Sequence, residues 1–321
     1  MRTGEEDEAI KWLQTSVENN PDFRNGHFNL ATMLAGRGRL EEAAHHFGEA
    51  HRIDPEDVEA HLEFATALGL TGQKEKAITE LRALLEIHPN QSGALLNLGI
   101  LLAQRQQVDE AIRAFSDLIQ IGESPEAELA AHLRIATLEA ERGMEESAIG
   151  HYRSAIELDP RSLEAYLGLA SALGRTGKFA EAATEYSQVL ALDPARMDAH
   201  FGLVTALILS EQYDSAVVSL EESLSQPSAP LALKHVLAQL LAACPDAEVR
   251  DGDRALVLAQ EVFQEDQTLD HAETVAMALA EVGKFDDAVE LQSRVVAEAQ
   301  RLGQTDLARR AQSRLEKYQR G

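Results

Sequence analysis

Residues 28–55, FNLATMLAGRGRLEEAAHHFGEAHRIDP, read as two amphipathic helices joined by a short glycine-containing turn and closed by Pro55. The same pattern returns, with variations, along nearly the whole chain. Pro21, Pro55 and Pro89 stand 34 residues apart, and so do Pro160 and Pro194. A period of that length is the signature of a helix-turn-helix solenoid, whose units bury their apolar faces against their neighbours. Function is then a matter of the surfaces such a stack exposes.

Composition narrows the choice of partner. The 321 residues are 45% hydrophobic and only 5% aromatic, a length at which one globular core would be unusually large. Fifty-four acids against 29 Lys and Arg give a net charge of -25. Such a surface repels phosphate backbones, which argues against nucleic acid and against anionic membrane surfaces. A basic or mostly apolar protein or peptide fits better. The single cysteine, Cys244, rules out an internal disulfide and a cysteine-cluster metal site. No run of 18 apolar residues is present, so no membrane insertion is expected. The opening MRTGEEDEAIKW lacks the apolar core of a signal peptide, which favours the cytoplasm over the periplasm if the chain is complete.

Within the period, large and small residues alternate in a fixed order. One unit carries His61, Phe64, Ala65, Leu68, Ala77, Leu81 and Pro89; the next carries Leu95, Leu98, Gly99, Leu102, Ala111 and Phe115; another carries Tyr166, Leu169, Ala170, Leu173, Ala182, Tyr186 and Pro194. The small residues let two helix backbones approach closely. These positions resemble the tetratricopeptide repeat family over nearly the whole chain. The resemblance implies an all-α, right-handed superhelix (an α-solenoid) ending in a capping helix; because the pattern encodes packing, it speaks to fold more than to function.

Taken in order, residues 1–21 read as an orphan second helix, Glu5–Asn19, with Gly4 where an inter-helix turn belongs and Met1–Thr3 too short to supply a first helix. That points to a processed terminus or an upstream region. Its apolar face, Ile10, Leu13 and Val17, is one that another chain can cover. Six units follow, at 22–55, 56–89, 90–124, 126–160, 161–194 and 195–228. The third has a longer exit, IGESPEAE, where the phase slips by three residues. Gly38, Gly72, Gly143 and Gly177 fall in the turns; Glu211 replaces the glycine in the sixth unit, which exits through QPSAP. Residues 229–267 form a variant unit with a long inter-helix loop; LAACPDAEVRDG resembles a variant seen near the C-termini of bacterial repeat proteins, with Pro245 stopping the first helix and Asp253 capping the second. An ordinary unit spans 268–300, and 301–321 is a basic capping helix. Its face Leu307, Ala311, Leu315 and Tyr318 covers the last unit, while Arg310, Arg314 and Lys317 line a solvated one. The last 21 residues carry +4, leaving -29 for the rest.

The resemblance also implies where a partner lies, since in this family the first helices line a concave groove. The positions carried over are Phe28, Leu62, Leu96, Leu133, Leu167 and Phe201, with Thr32, Thr66, Ile100, Thr137, Ser171 and Thr205 one turn on. The apolar set also suits packing between neighbouring helices, and the hydroxyls can instead bond to the preceding turn. Asn29 and Asn97 occupy the place where many members hold peptide backbone. That asparagine row is broken by Glu63, Arg134, Gly168 and Gly202. Phe28 and Leu62 stand where a carboxylate-clamping co-chaperone needs lysine.

His27, His61, His132 and His200 recur at the large packing position. First helices lie about 10 Å apart, whereas one zinc holds its nitrogens at about 2.1 Å, so these four cannot share an ion. His45, His46 and His51 include no i, i+4 pair. No metal and no other cofactor is expected. GRTGK at Gly174–Lys178 has no strand before it and is a helix-helix turn, and no HExxH or GxSxG is present. The leading reading is a non-enzymatic scaffold that binds a partner protein or peptide in the groove. The alternatives are a module that self-associates through its incomplete first unit, and the regulatory region of a larger enzyme.

Overall fold

The computed structural model describes residues 2–226 and 229–320, and every regular element among them is a helix. In chain order they are α1 (Arg2–Asn19), α2 (Arg24–Gly36), α3 (Leu40–Ile53), α4 (Val58–Leu70), α5 (Lys74–Ile87), α6 (Ser92–Gln104), α7 (Val108–Ile121), α8 (Pro125–Glu141), α9 (Glu145–Leu158), α10 (Leu163–Arg175), α11 (Phe179–Leu192), α12 (Met197–Leu209), α13 (Tyr213–Leu224), α14 (Leu231–Ala243), α15 (Gly252–Glu265), α16 (Leu269–Glu281), α17 (Phe285–Arg301) and α18 (Thr305–Tyr318). Among the described residues no helix is long and apolar enough to cross a membrane. The chain forms two compact units, one up to Ala165 and one from Tyr166 onward.

Inside each unit, helices pack on their sequence neighbours and on the next helix but one. In the first unit α4 touches α6 and α6 touches α8; in the second α14 touches α16 and α16 touches α18. The second helices explain this arrangement. Ala43, Phe47 and Ala50 on α3 are buried at i, i+4 and i+7, and so are Ala77, Leu81 and Leu84 on α5 and Ala111, Phe115 and Leu118 on α7. One such stripe serves both the preceding first helix and the following one. Gly99 shows the close approach directly: a Cβ there would lie 2.5 Å from the Phe115 ring.

The first helices other than α14 end in the same way. Arg39 N–H reaches back to Leu34 C=O, Gln73 to Leu68, Gln107 to Leu102 and Lys178 to Leu173. This is the Schellman closure, and it demands a left-handed residue just before the donor. Gly38, Gly72, Gly143 and Gly177 take it at φ of 73–81°. Gln106 and Glu211 adopt φ of 62° and 60° at the equivalent positions without being glycine.

The structure differs from expectation at several points. Gly4 lies inside α1, which already winds from Arg2, and makes no turn. The apolar face of α1 is not open, because Ile10 and Val17 are buried and Leu13 packs against the same cluster as Leu30, Leu34 and Phe47. The large exposed residue of α1 is instead Trp12, at 71%. The three-residue slip is not a longer exit. The linker Gly122–Ser124 is one residue shorter than the linker 54–57, and α8 at 17 residues is four longer than α6. Ser124 capping the Ala127 N–H, with Pro125 at the first helical position, starts α8 early. Pro245 does follow the end of α14, but the cap of α15 is Asp251, whose carboxylate accepts the Arg254 N–H; Asp253 is already in the first turn. Of the exit QPSAP, Pro227 and Ser228 lie outside the described residues.

Candidate binding face and its neighbouring clusters

None of the fourteen residues assigned to the groove is fully buried, Ile100 among them. In the first unit Phe28, Leu62, Leu96 and Leu133 are half-buried, Asn29 and Thr32 are exposed, and Thr66, Asn97 and Thr137 lie between. In the second unit Leu167, Ser171 and Phe201 are half-buried and Thr205 is exposed. The apolar row therefore divides its surface between solvent and its own neighbours. Phe28 sits edge-on to Phe47 at 5.4 Å, with the Arg24 guanidinium 4.7 Å above its ring. Leu62 leans on the start of α6, where a Cβ at Gly93 would approach it to 2.9 Å.

Three of the hydroxyls spend their protons within their own helix. Thr32, Thr66 and Thr137 each donate to the carbonyl four residues back, those of Phe28, Leu62 and Leu133, at 2.8–3.0 Å. Their oxygen lone pairs are what remains for a partner. One is used internally: Asn97 Nδ2 donates to Thr66 Oγ1 at 2.8 Å, tying α6 to α4 along the row. In the second unit Arg175 donates to Ser171 Oγ at 2.9 Å. The broken asparagine row has a steric cause at Gly202, because a Cβ there would fall 2.3 Å from the Tyr186 ring.

The packing histidines each find a different partner. His27 Nδ1 meets His46 Nδ1 at 3.0 Å, His61 Nε2 meets Glu80 Oε2 at 3.0 Å, and His132 Nδ1 meets His151 Nδ1 at 2.9 Å. His200 Nδ1 lies 2.6 Å from Ser223 Oγ. The first three pairs are 19 residues apart, and Gln292 donates to Glu273 across the same interval. That spacing joins the first helix of a unit to its second, a regularity invisible until the helices are paired. Burial, reinforced by His27 and His45, pushes His46 down to about 4. Burial also lowers His51 and His132.

At the C-terminal end Leu307, Ala311 and Leu315 are buried as expected, while Arg310 and Lys317 are exposed and Arg314 is half-buried. Arg310 and Arg314 both reach Glu273 of α16, at 2.9 and 2.8 Å, and Arg310 also bridges to Asp270. These arginines border an open pocket of about 410 Å³ with Tyr213, Val236, Leu240 and Met277. Nothing in the spacing of α18 alone marks Glu273 as their partner.

Sequence profiles described as tetratricopeptide repeat match residues 1–58 and 167–230, 34–92, and 93–121. No curated protein sequence gives a significant match. Among solved structures, a tetratricopeptide repeat protein from Parabacteroides merdae is 15% identical, covering 80% of this chain and 98% of its own at a TM-score of 0.51. PilF of Pseudomonas aeruginosa is 18% identical, covering 67% of this chain and 96% of its own at a TM-score of 0.53. YrrB, described as having an unusual peptide-binding site, is 17% identical, covering 58% of this chain and 95% of its own at 0.49. At these identities the likeness is one of fold.

Proposed function

The chain is a tetratricopeptide repeat protein, and from that premise we propose that it is a non-enzymatic scaffold holding a partner protein or peptide on the face of its first helices. The observation that carries the reading is the half-buried apolar row of Phe28, Leu62, Leu96 and Leu133, flanked by threonine oxygens and continuous from α4 to α6 through Asn97. Apolar area still open to solvent supplies affinity, at roughly 25 cal/mol per Å² removed from water. The acceptor oxygens of Thr32 and Thr137 suit backbone N–H groups and fix register. A net charge of -25 favours a basic or mostly apolar partner and raises its rate of encounter. In the second unit Leu167, Ser171, Phe201 and Thr205 offer a shorter version of the same face.

The test captures partners on the purified chain and identifies them by mass spectrometry, in parallel with a Phe28→Ser, Leu96→Ser, Phe201→Ser variant. Reduced recovery by the variant, with its helical circular dichroism retained, is expected. Unchanged recovery of the same partners places binding on another surface. Self-association through Ile10, Leu13 and Val17 is not part of this reading, since α2 already covers that face.

A further inference from the structure

Three consecutive helices bring together side chains that no sequence motif joins. His51 lies in the last turn of α3, His61 in the first turn of α4 and Glu80 in the middle of α5. One ligand atom from each, an imidazole nitrogen from either histidine and a carboxylate oxygen from Glu80, lies within 4.8 Å of the other two. His61 is only 5% exposed. The His51 ring stacks on it, with centroids 3.9 Å apart and planes at 23°.

Two further observations single out His51. Its Nδ1 is shielded from solvent and makes no hydrogen bond among the described residues, although buried polar atoms are nearly always partnered. It also breaks the repeat. Counted from the alanine that opens each second helix, the same position holds Val17, Leu85, Ile119, Ile156 and Leu190. The remaining second helices also put an apolar side chain there, Leu224, Phe263 and Val296, so packing alone gives no reason for an imidazole.

We propose that His51, His61 and Glu80 form a binding site for a divalent transition-metal ion, zinc being the best match. Two imidazoles and one carboxylate are a zinc ligand set that leaves a fourth position for water. Donors about 2.1 Å from a tetrahedral ion stand about 3.4 Å from one another, close to the 3.0 Å already separating His61 Nε2 from Glu80 Oε2. The ion takes the place of the proton in that hydrogen bond, and a neutral His61 then carries its single N–H on Nδ1. Nearly parallel rings aim their lone pairs past each other, so His51 must turn about its side-chain bonds to bind. Its place in the last turn of α3, half-buried, leaves it room to do so. The stack is the metal-free arrangement, and coordination opens it. The other cross-helix pairs, His27 with His46 and His132 with His151, have no third ligand of this kind among the described residues.

The experiment equilibrates the purified full chain with zinc chloride, counts bound zinc by elemental analysis and measures affinity by competition with a chromophoric chelator. Cobalt chloride gives a second readout through the visible absorption of a four-coordinate ion. His51→Leu is the central variant, since leucine is the residue other repeats carry there and its fold is expected to be intact. One zinc per chain is expected, weakened at least about tenfold in His51→Leu and in Glu80→Gln, with the cobalt absorption lost in both. His45→Asn, on the exposed side of α3, is expected to bind as the parent does. Absence of bound zinc, equal affinity in His51→Leu and Glu80→Gln, or an equal loss in His45→Asn overturns the proposal.

Discussion

Arg314 Nη1 lies 2.8 Å from Glu273 Oε1, and the two side chains sit in very different surroundings, the guanidinium 32% exposed and the carboxylate 3%. This pair, with Arg310 and Gln292 on the same carboxylate, ties α18 to α16 and α17. The asymmetry of burial sets the asymmetry of substitution. Removing Arg314 leaves a buried charge with fewer donors, whereas removing Glu273 releases arginines that can turn to water. Arg314→Ala is expected to cost about 2 kcal/mol, read as a lower urea midpoint and as faster proteolysis within α18. Glu273→Met is expected to stay within about 1 kcal/mol of the parent, and the double variant to resemble Glu273→Met alone.

Gly99 sets two effects against each other. Alanine improves helix propensity by about 1 kcal/mol, but its methyl would stand 2.5 Å from the ring of Phe115, which is fully buried and has nowhere to move. Overpacking of this kind costs about 1–3 kcal/mol, so Gly99→Ala is expected to destabilise. Adding Phe115→Leu in that background should recover part of the loss in chemical denaturation.

Glu211 and Gln106 hold left-handed turns at φ of 60° and 62°. That conformation costs a non-glycine residue about 1–2 kcal/mol, offset in a glycine variant by about 0.4–1 kcal/mol of extra unfolded-state freedom. Glu211→Gly and Gln106→Gly should each stabilise by roughly 0.5–1 kcal/mol by that difference. Gly72→Ala, at φ 81°, should move the denaturation midpoint the other way.

His46 gives a pH dependence whose sign follows from its environment. Half-buried beside His27 and His45, it takes up its proton near pH 4 in the folded chain, against an ordinary value of about 6.5. The unfolded chain therefore binds more protons between those values. The stability that neutral His46 contributes is fully present above about pH 6.5 and is lost as pH falls toward 4, despite the opposing pull of Glu42 and Glu49. Loss of net negative charge on acidification acts in the opposite sense by relieving self-repulsion. Comparing the chain with His46→Asn separates the two: the variant should show a shallower fall in denaturation midpoint from pH 7 to 4.

The helix pairs were readable in the sequence because alanine and large apolar residues keep a helical interval through most second helices, as Ala77, Leu81 and Leu84 do. The turns were readable because a left-handed position favours glycine, as at Gly72 and Gly177. The cap of α15 was missed by two residues, since Asp251 and Asp253 both suit a helix start and only the backbone path chooses between them. The binding face was legible as positions but not as chemistry. A threonine in a sequence does not say whether its hydroxyl proton is free, and Thr32, Thr66 and Thr137 all give theirs to their own helix.

The period of 34, the all-helical class and the sites of close approach followed from the sequence alone, because each rests on contacts between residues at fixed, short intervals. Partnerships across helices did not. The link from Arg314 to Glu273, the cover that α2 lays over Ile10 and Val17, and the meeting of His51, His61 and Glu80 all depend on which helix faces show toward each other. No local pattern carries that information. His51 was visible beforehand only as a polar residue where the other second helices hold an apolar one, and the pairing of α3, α4 and α5 turned that irregularity into a cluster of three ligands.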